Sequence, residues 1–350
     1  MVRSVTFAVP GDLIVPTGGY AYDRRIITEL LASGWQVDVL NLGDEFPRPS
    51  AEARIAARKQ LAAQPTCRPL VVDGLAFGVL PEVASDLGAS HRLIALVHHP
   101  LALETGLSPD EAERLRVSER CALAGARRVI VTSASTARLL NSDYDVPVDR
   151  ITVARPGNDR VAPAHGTLVG EVSLLAVGAV VPRKGYDVLI AALALLRDLP
   201  WRLTIVGDRS RDPETTARLD SDVAQLALSD RVGFTGAVSG ERLATLYARA
   251  DAFVLASRFE GYGMAFAEAI AYGLPVIGTD AGAIADTVPA SASLLVPPDD
   301  VAALSDALRR VIGDSALRER LAKSARTFAA ELPTWRQSVD LFAQALAAAT

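Results

Sequence analysis

The sequence predicts two successive α/β domains, each an open parallel sheet covered by helices, and three observations lead there. The chain has 350 residues, too many for one ordinary core and a good fit to two domains of about 150 residues each. Half of its residues are hydrophobic while only 5% are aromatic. Ala, Leu and Val supply the apolar content, which suits buried parallel strands. Finally, short β-branched runs alternate with longer helical patterns, the rhythm of βαβ units.

In the first half, strands are expected at residues 5–9, 36–40, 70–72, 93–97, 128–132 and 151–153, with helices between them, for example at 22–32 and 110–124. The rhythm pauses at Arg155-Pro156-Gly157-Asn158-Asp159 and stays loop-like through Gly170, as expected of an interdomain linker. It resumes with strands at 173–177, 202–206, 232–235, 252–255, 275–278 and 293–296, and helices at 186–196, 239–249, 264–272 and 301–312. The expected domains are therefore 1–158 and 168–333. A last helical segment, 334–348, begins at Trp335. Two such sheets facing one another would turn their strand C-terminal ends toward a central cleft, where open α/β sheets bind ligands.

Net charge is −5, so no broad basic field attracts nucleic acid, and none is expected as a partner. Cys67 and Cys121 stand far apart without metal-ligand spacing and read as reduced, buried thiols. The chain begins directly on a strand pattern, with no signal segment, and no apolar run approaches the ~20 residues that span a bilayer. A soluble, cytoplasmic protein is expected, with peripheral contact at the inner face of a membrane left open.

The densest chemistry lies in Phe259-Glu260-Gly261-Tyr262-Gly263-Met264-Ala265-Phe266-Ala267-Glu268. A strand ends at Ser257, a glycine-containing loop follows, and a helix starts near Met264. Gly261 and Gly263 let backbone N–H groups approach a ligand, and the helix N-terminus offers partial positive charge to a phosphate. Eight residues separate Glu260 from Glu268, roughly 12 Å at helical rise, about the span from a sugar to a ribose joined through a diphosphate. Glu268 sits among Ala265, Phe266, Ala269 and Ile270, where a charge wants a partner. The bland alternative is two solvated glutamates.

With Ala271-Tyr272-Gly273-Leu274-Pro275-Val276-Ile277, this stretch resembles the E-x7-E signature of glycosyltransferase family 4, tightly in the second domain and more loosely in the first. The resemblance implies the GT-B fold, two Rossmann-like domains with parallel sheets facing a central cleft. It also implies a retaining transfer from a nucleotide diphosphate sugar, with neither metal nor other cofactor required. The final helix, 334–350, is then expected to pack back on the first domain.

Three more sites match residue by residue. Gly18 and Gly19, in Pro16-Thr17-Gly18-Gly19-Tyr20, form the turn that similar enzymes bring against the donor diphosphate and sugar; the chain here lacks G-x-G-x-x-G, so this is no dinucleotide fingerprint. His98 and His99 follow a predicted strand in Val97-His98-His99-Pro100. As a metal pair they lack a carboxylate or thiol at suitable spacing. The resemblance gives His98 to the donor sugar near its reacting carbon, and His99 is set toward the acceptor. Lys184, in Val177-Gly178-Ala179-Val180-Val181-Pro182-Arg183-Lys184-Gly185, matches the lysine placed on the donor phosphates. Ala179 departs from the family, which has an arginine there. Arg183 is either its substitute or a solvated side chain.

Gly236 and Val238, in Gly233-Phe234-Thr235-Gly236-Ala237-Val238, resemble the segment whose backbone brackets the nucleobase. Two Asp-x-Asp tripeptides, 143–145 and 220–222, read as solvated helix-end or loop acids rather than metal ligands.

The expected catalytic set is thus His98, Glu260 and Lys184. Gly18, Gly19, Arg183, Gly236, Val238, Gly261, Tyr262, Gly263, Met264 and Glu268 are expected on the donor. Partners are a UDP- or GDP-sugar and an unidentified glycan, lipid or small-molecule acceptor, with residues 99–105 and the helix from Ser108 as acceptor lining. The alternatives are a nucleotide-sugar-binding homologue of weak activity, suggested by Ala179, and a GT-B sugar-nucleotide epimerase.

Overall fold

The computed structural model describes residues 3–167 and 170–349; positions 168 and 169 of the expected linker lie outside them. The chain forms two compact units, Met1–Gly157 with Pro333–Thr350, and Asn158–Leu332.

The first unit is built on six parallel strands: β1 (Ser4–Val9), β2 (Gln36–Asn41), β3 (Pro69–Asp73), β4 (Arg92–Val97), β5 (Arg128–Val131) and β6 (Ile151–Val153). Their order is β2-β1-β3-β4-β5-β6. Ser4 lies opposite Gln36 and Val9 opposite Asn41, and each later pair continues in parallel. The residues of β3 are buried on both faces, as helices on either side of a parallel sheet require. β2, at the edge, is largely exposed. Strand order reverses between β1 and β3, the switch point where an open α/β sheet leaves a crevice at its strand C-terminal ends.

Side chains fix where the helices begin. Thr17 caps Gly18–Ala32 by accepting from the Tyr20 N–H, and Ser108 with Glu111 makes a capping box on Pro109–Ala124. The helix Trp335–Ala348 carries the same device in Thr334 and Gln337. It belongs to this unit: Phe342 stacks on Phe7 of β1 with centroids 5.5 Å apart, and Trp335 lies 6.1 Å from the Tyr22 ring. Ser338 donates to the Arg155 carbonyl at 2.6 Å.

The second unit repeats the plan with β7 (Val172–Val177), β8 (Trp201–Val206), β9 (Val232–Gly236), β10 (Ala252–Leu255), β11 (Val276–Thr279) and β12 (Ser293–Val296). Order is β12-β11-β10-β7-β8-β9, all parallel. Its switch point falls between β10 and β7. Trp201 is wholly buried and donates its indole N–H to the Leu196 carbonyl at 2.8 Å, so the polar edge of that ring is satisfied.

The second Asp-x-Asp tripeptide lies inside the helix Pro213–Gln225 rather than at a helix end or in a loop. There Asp220 pairs with Arg209 at 2.5 Å, an ion pair on an exposed face. The first ends the helix Ala134–Asp143 and runs to Asp145. Cys67 and Cys121 are both free and exposed, not buried as expected.

Candidate functional site

In the second unit, the loops leaving β7 and β10 meet at the switch point. After β7 the chain makes a tight turn, Pro182–Lys184, closed by Gly185 in the left-handed region at φ +62°. A Cβ on Gly185 would collide with the carbonyl of Ala256, so glycine lets the turn sit flush on the end of β10. That seating sets Lys184 Nζ 2.6 Å from Glu260 Oε1, and Ser257 Oγ donates to the same oxygen at 2.7 Å. Arg183 reaches the other oxygen of Glu260 at 3.4 Å and the Phe259 carbonyl at 2.9 Å. Arg183 is therefore held beside Glu260 and is not a solvated side chain.

Glu260 is 6% exposed. Burial pushes its carboxyl up, but Lys184 and then Arg183 outweigh burial and hold it below the usual carboxylate range. Two cations thus stand at one point, the kind of group that binds a phosphate oxygen. The backbone of Glu260 is pinned as well. Its carbonyl accepts from the Ala283 N–H at 2.9 Å, and Gly282, at φ +62°, passes so close that a Cβ would strike that carbonyl.

Helix Met264–Ala271 follows, with Gly263 as its N-cap at φ +88°, and among the described residues no side chain caps it. Glu260 lies in the loop before this helix, so helical rise governs only the half of the Glu260–Glu268 interval from Met264 onward, and the 12 Å expectation does not hold as derived. Glu268 is half-buried, and its Oε2 accepts from the Tyr247 hydroxyl at 3.0 Å. Burial pushes its carboxyl up to about 6, against the hydrogen bond from Tyr247.

Tyr262 is part of the hydrophobic core, and Thr287 Oγ1 donates to its carbonyl at 2.5 Å. Met264 and Val238 are partly buried against the same core. Gly236 ends β9 at φ +70° and accepts from the Gly207 N–H at 3.0 Å. Beside it, the Arg209 guanidinium lies over the Phe234 ring, 4.4 Å from its centroid.

In the first unit, Gly18 and Gly19 form the first turn of the helix Gly18–Ala32 rather than a turn before it, and they meet the histidine after β4. A Cβ on Gly19 would stand 3.1 Å from His98 Cδ2, so glycine lets the helix start against the imidazole. His98 Nε2 lies 3.1 Å from Asp23 Oδ1 and 3.6 Å from Asp73 Oδ2. The reading that no carboxylate stands near the histidine pair is thus corrected: two acids distant in sequence are brought to it by β3 and the first helix. His99 lies apart from them, with Nε2 3.3 Å from Glu104 Oε2. Asp23, Asp73, Ser257 and Tyr247 belong to none of the motifs above. The available signals were a charge on an apolar helix face, between Tyr22 and Ile26, and a charge directly after the apolar run Leu70-Val71-Val72.

Beneath the histidine loop, Glu119 is 1% exposed and accepts from the Leu101 N–H at 3.0 Å. Burial pushes its carboxyl up to about 8. A raised folded-state value contributes stability that is full below the unfolded value, near 4.5, and is lost as pH rises through about 8. Melting temperature is expected to fall across that window and to level off above it. Glu119→Gln, which keeps the acceptor and removes the charge, should flatten the profile and gain roughly 2–4 kcal/mol at pH 9, the 1.36 kcal/mol per unit discounted for relaxation. Thermal melts from pH 5 to 9 check this.

Among the described residues no helix is long and apolar enough to cross a membrane. Residues 161–328 match the family model described as glycosyl transferases group 1. D-inositol 3-phosphate glycosyltransferase of Pseudarthrobacter chlorophenolicus is 33% identical over 265 residues, covering 69% of this chain and 62% of that protein, so the match spans less than two thirds of the relative. Among solved structures, sucrose-phosphate synthase from Thermosynechococcus elongatus superposes with a TM-score of 0.81 at 23% identity, covering 97% of this chain and 98% of that one. HepE of Anabaena, in complex with UDP and glucose, gives 0.77 at 19% identity, covering 97% and 99%. The architecture is GT-B, and the second unit carries the domain of the glycosyl transferases group 1 family.

Proposed function

We propose that the chain is a retaining glycosyltransferase that moves a sugar from a UDP- or GDP-linked donor to an acceptor hydroxyl without a bound metal. One observation carries the reading: Lys184 and Arg183 converge on Glu260 at the β7/β10 switch point, directly before an uncapped helix N-terminus. Two cations and a helix start suit a diphosphate. Glu260 then serves the sugar and its cations, Glu268 takes the ribose hydroxyls, and His98 serves the transferred sugar. The backbone at Gly236 and Val238 brackets the base.

In this mechanism the leaving diphosphate draws its charge stabilisation from Lys184, Arg183 and the helix start. The acceptor hydroxyl attacks the face from which the diphosphate departs, and its proton passes to a diphosphate oxygen. The family resemblance supports that course. Screening UDP- and GDP-sugars by thermal shift, then assaying the stabilising donor for transfer or hydrolysis, tests the reading. A product of inverted anomeric configuration, or no stabilisation by any donor, would sink it. Turnover is expected to survive exhaustive EDTA treatment within about twofold, because in this reading Lys184 and Arg183 supply the charge that a metal would otherwise bring. An EDTA-sensitive rate restored by Mg²⁺ or Mn²⁺ would overturn the metal-free course.

Ala179 favours a second reading, a binding protein of weak activity. A donor that binds but is never turned over, with turnover appearing in Ala179→Arg, would establish it.

A further inference from the structure

We propose that Asp23 and Asp73 are positioning residues for His98: this buried carboxylate pair keeps the imidazole cationic and fixes its Nδ1–H as the hydrogen-bond donor offered to substrate. The part concerning substrate rests on the function proposed above; the part concerning charge stands on the first unit alone.

The geometry is specific. Asp23 is completely buried and Asp73 is 1% exposed. Neither oxygen of Asp23, nor Oδ2 of Asp73, finds a hydrogen-bond partner among the described residues. The group that approaches both acids, at Asp23 Oδ1 and Asp73 Oδ2, is His98 Nε2, itself buried. Asp73 is held in place through its other oxygen, which accepts from the Leu75 N–H at 2.8 Å. Two buried carboxylates at one point demand a compensating positive charge. The groups facing the ring are Asp23 and Tyr22 from the first helix, Asp73 from β3, and Gly19. Arg24 acts on Asp23 from farther away. Tyr22 meets the imidazole edge-on at 5.5 Å and donates its hydroxyl to the Ala154 carbonyl at 2.9 Å, so it supplies no charge. The compensating charge therefore belongs on His98. Burial alone would push the imidazolium down, but Asp23 and then Asp73 outweigh burial and hold it up to about 10.

Protonation decides what the ring can do. A neutral imidazole whose N–H points at the acids would present Nδ1 as an acceptor; an imidazolium presents it as a donor. The side chain is 18% exposed although Nε2 is buried, and Gly19 covers Cδ2. The Nδ1 side is what remains for a ligand oxygen.

The test is an imidazole titration by NMR of histidine-labelled protein, with the His98 signal assigned by its loss in His98→Gln. The wild-type His98 should stay protonated to pH 9. In Asp23→Asn its midpoint should fall by about two units or more, toward the ordinary value. Asp73→Asn serves as the second variant and should shift the midpoint in the same direction. With a donor that wild type turns over, Asp23→Asn should keep near-normal kcat at pH 6 and lose about tenfold or more at pH 8.5, with KM within about threefold. A wild-type midpoint near 6.5, or no shift in either variant, overturns the proposal. So does stoichiometric Zn²⁺ or Mn²⁺ that survives dialysis and is lost in Asp23→Asn. Should no donor be turned over at any pH, the proposed function fails, while the titration still decides the charge of His98.

Discussion

Lys184→Ala is expected to lower kcat by about 10²–10³-fold, the loss typical when one preorganised charge on a leaving group is removed. Lys184 Nζ is seated at 2.6 Å on a buried carboxylate, so its position is set before any ligand arrives and little reorganisation is needed during reaction. The same contact means that the substitution also strips Glu260 of its nearest cation, leaving Arg183 at 3.4 Å and the Ser257 hydroxyl. Stability should fall by roughly 2–4 kcal/mol for that reason, since a buried acid is left partly unpaired. The two effects separate in Lys184→Met combined with Glu260→Gln, which removes both charges. Stability should largely return in the double variant while turnover does not. If turnover recovered with stability, Lys184 would be structural and the diphosphate assignment wrong. Steady-state kinetics beside thermal melts give the answer.

Glu268→Ala should weaken binding of the free nucleoside diphosphate by about 10–50-fold, in line with losing a charge-assisted contact to two ribose hydroxyls. Partial burial pushes the carboxyl up to about 6, and that adds a signature. As pH falls through 6 the group becomes protonated and loses acceptor strength, so wild-type affinity at pH 5 should be about tenfold weaker than at pH 7.5. The variant should lose most of this dependence. Calorimetric titrations at the two pH values test it; unchanged affinity in Glu268→Ala would remove Glu268 from the ribose. Tyr247→Phe offers a finer check, because losing its hydroxyl pushes the Glu268 carboxyl further up and moves the affinity midpoint to higher pH.

The fold was legible in the sequence because parallel strands buried on both faces announce themselves. Runs such as Leu93 to Val97 carry no charge, and every expected strand is found to within one or two residues at its ends. The second unit's site was legible for a local reason. Lys184 and Glu260 each sit in the first loop after a central strand, so reading strand ends was enough to find them. The first unit's site was not. Asp23 lies on a helix and Asp73 at the end of a different strand, and only the strand order β2-β1-β3-β4 brings them to His98. No spacing rule encodes that order. The role of Arg183 was equally hidden, since a cation beside a lysine in sequence reads the same whether it points to solvent or to the Phe259 carbonyl.

The last helix has a consequence for dissecting the chain. Because Phe342 stacks on Phe7 and Ser338 is tied to Arg155, residues 1–157 do not contain their own complete core. Topologically the second unit is an insertion, spliced into the first between positions 157 and 333. The piece that can be cut out intact is therefore the middle of the chain. A stop codon after residue 157 would release an unfinished domain, whereas bridging 157 to 333 with a short linker would close one. Gly157 marks the splice: its Cα rests against the backbone of Thr334 and Trp335 with no room for a Cβ, so the two cut ends already touch.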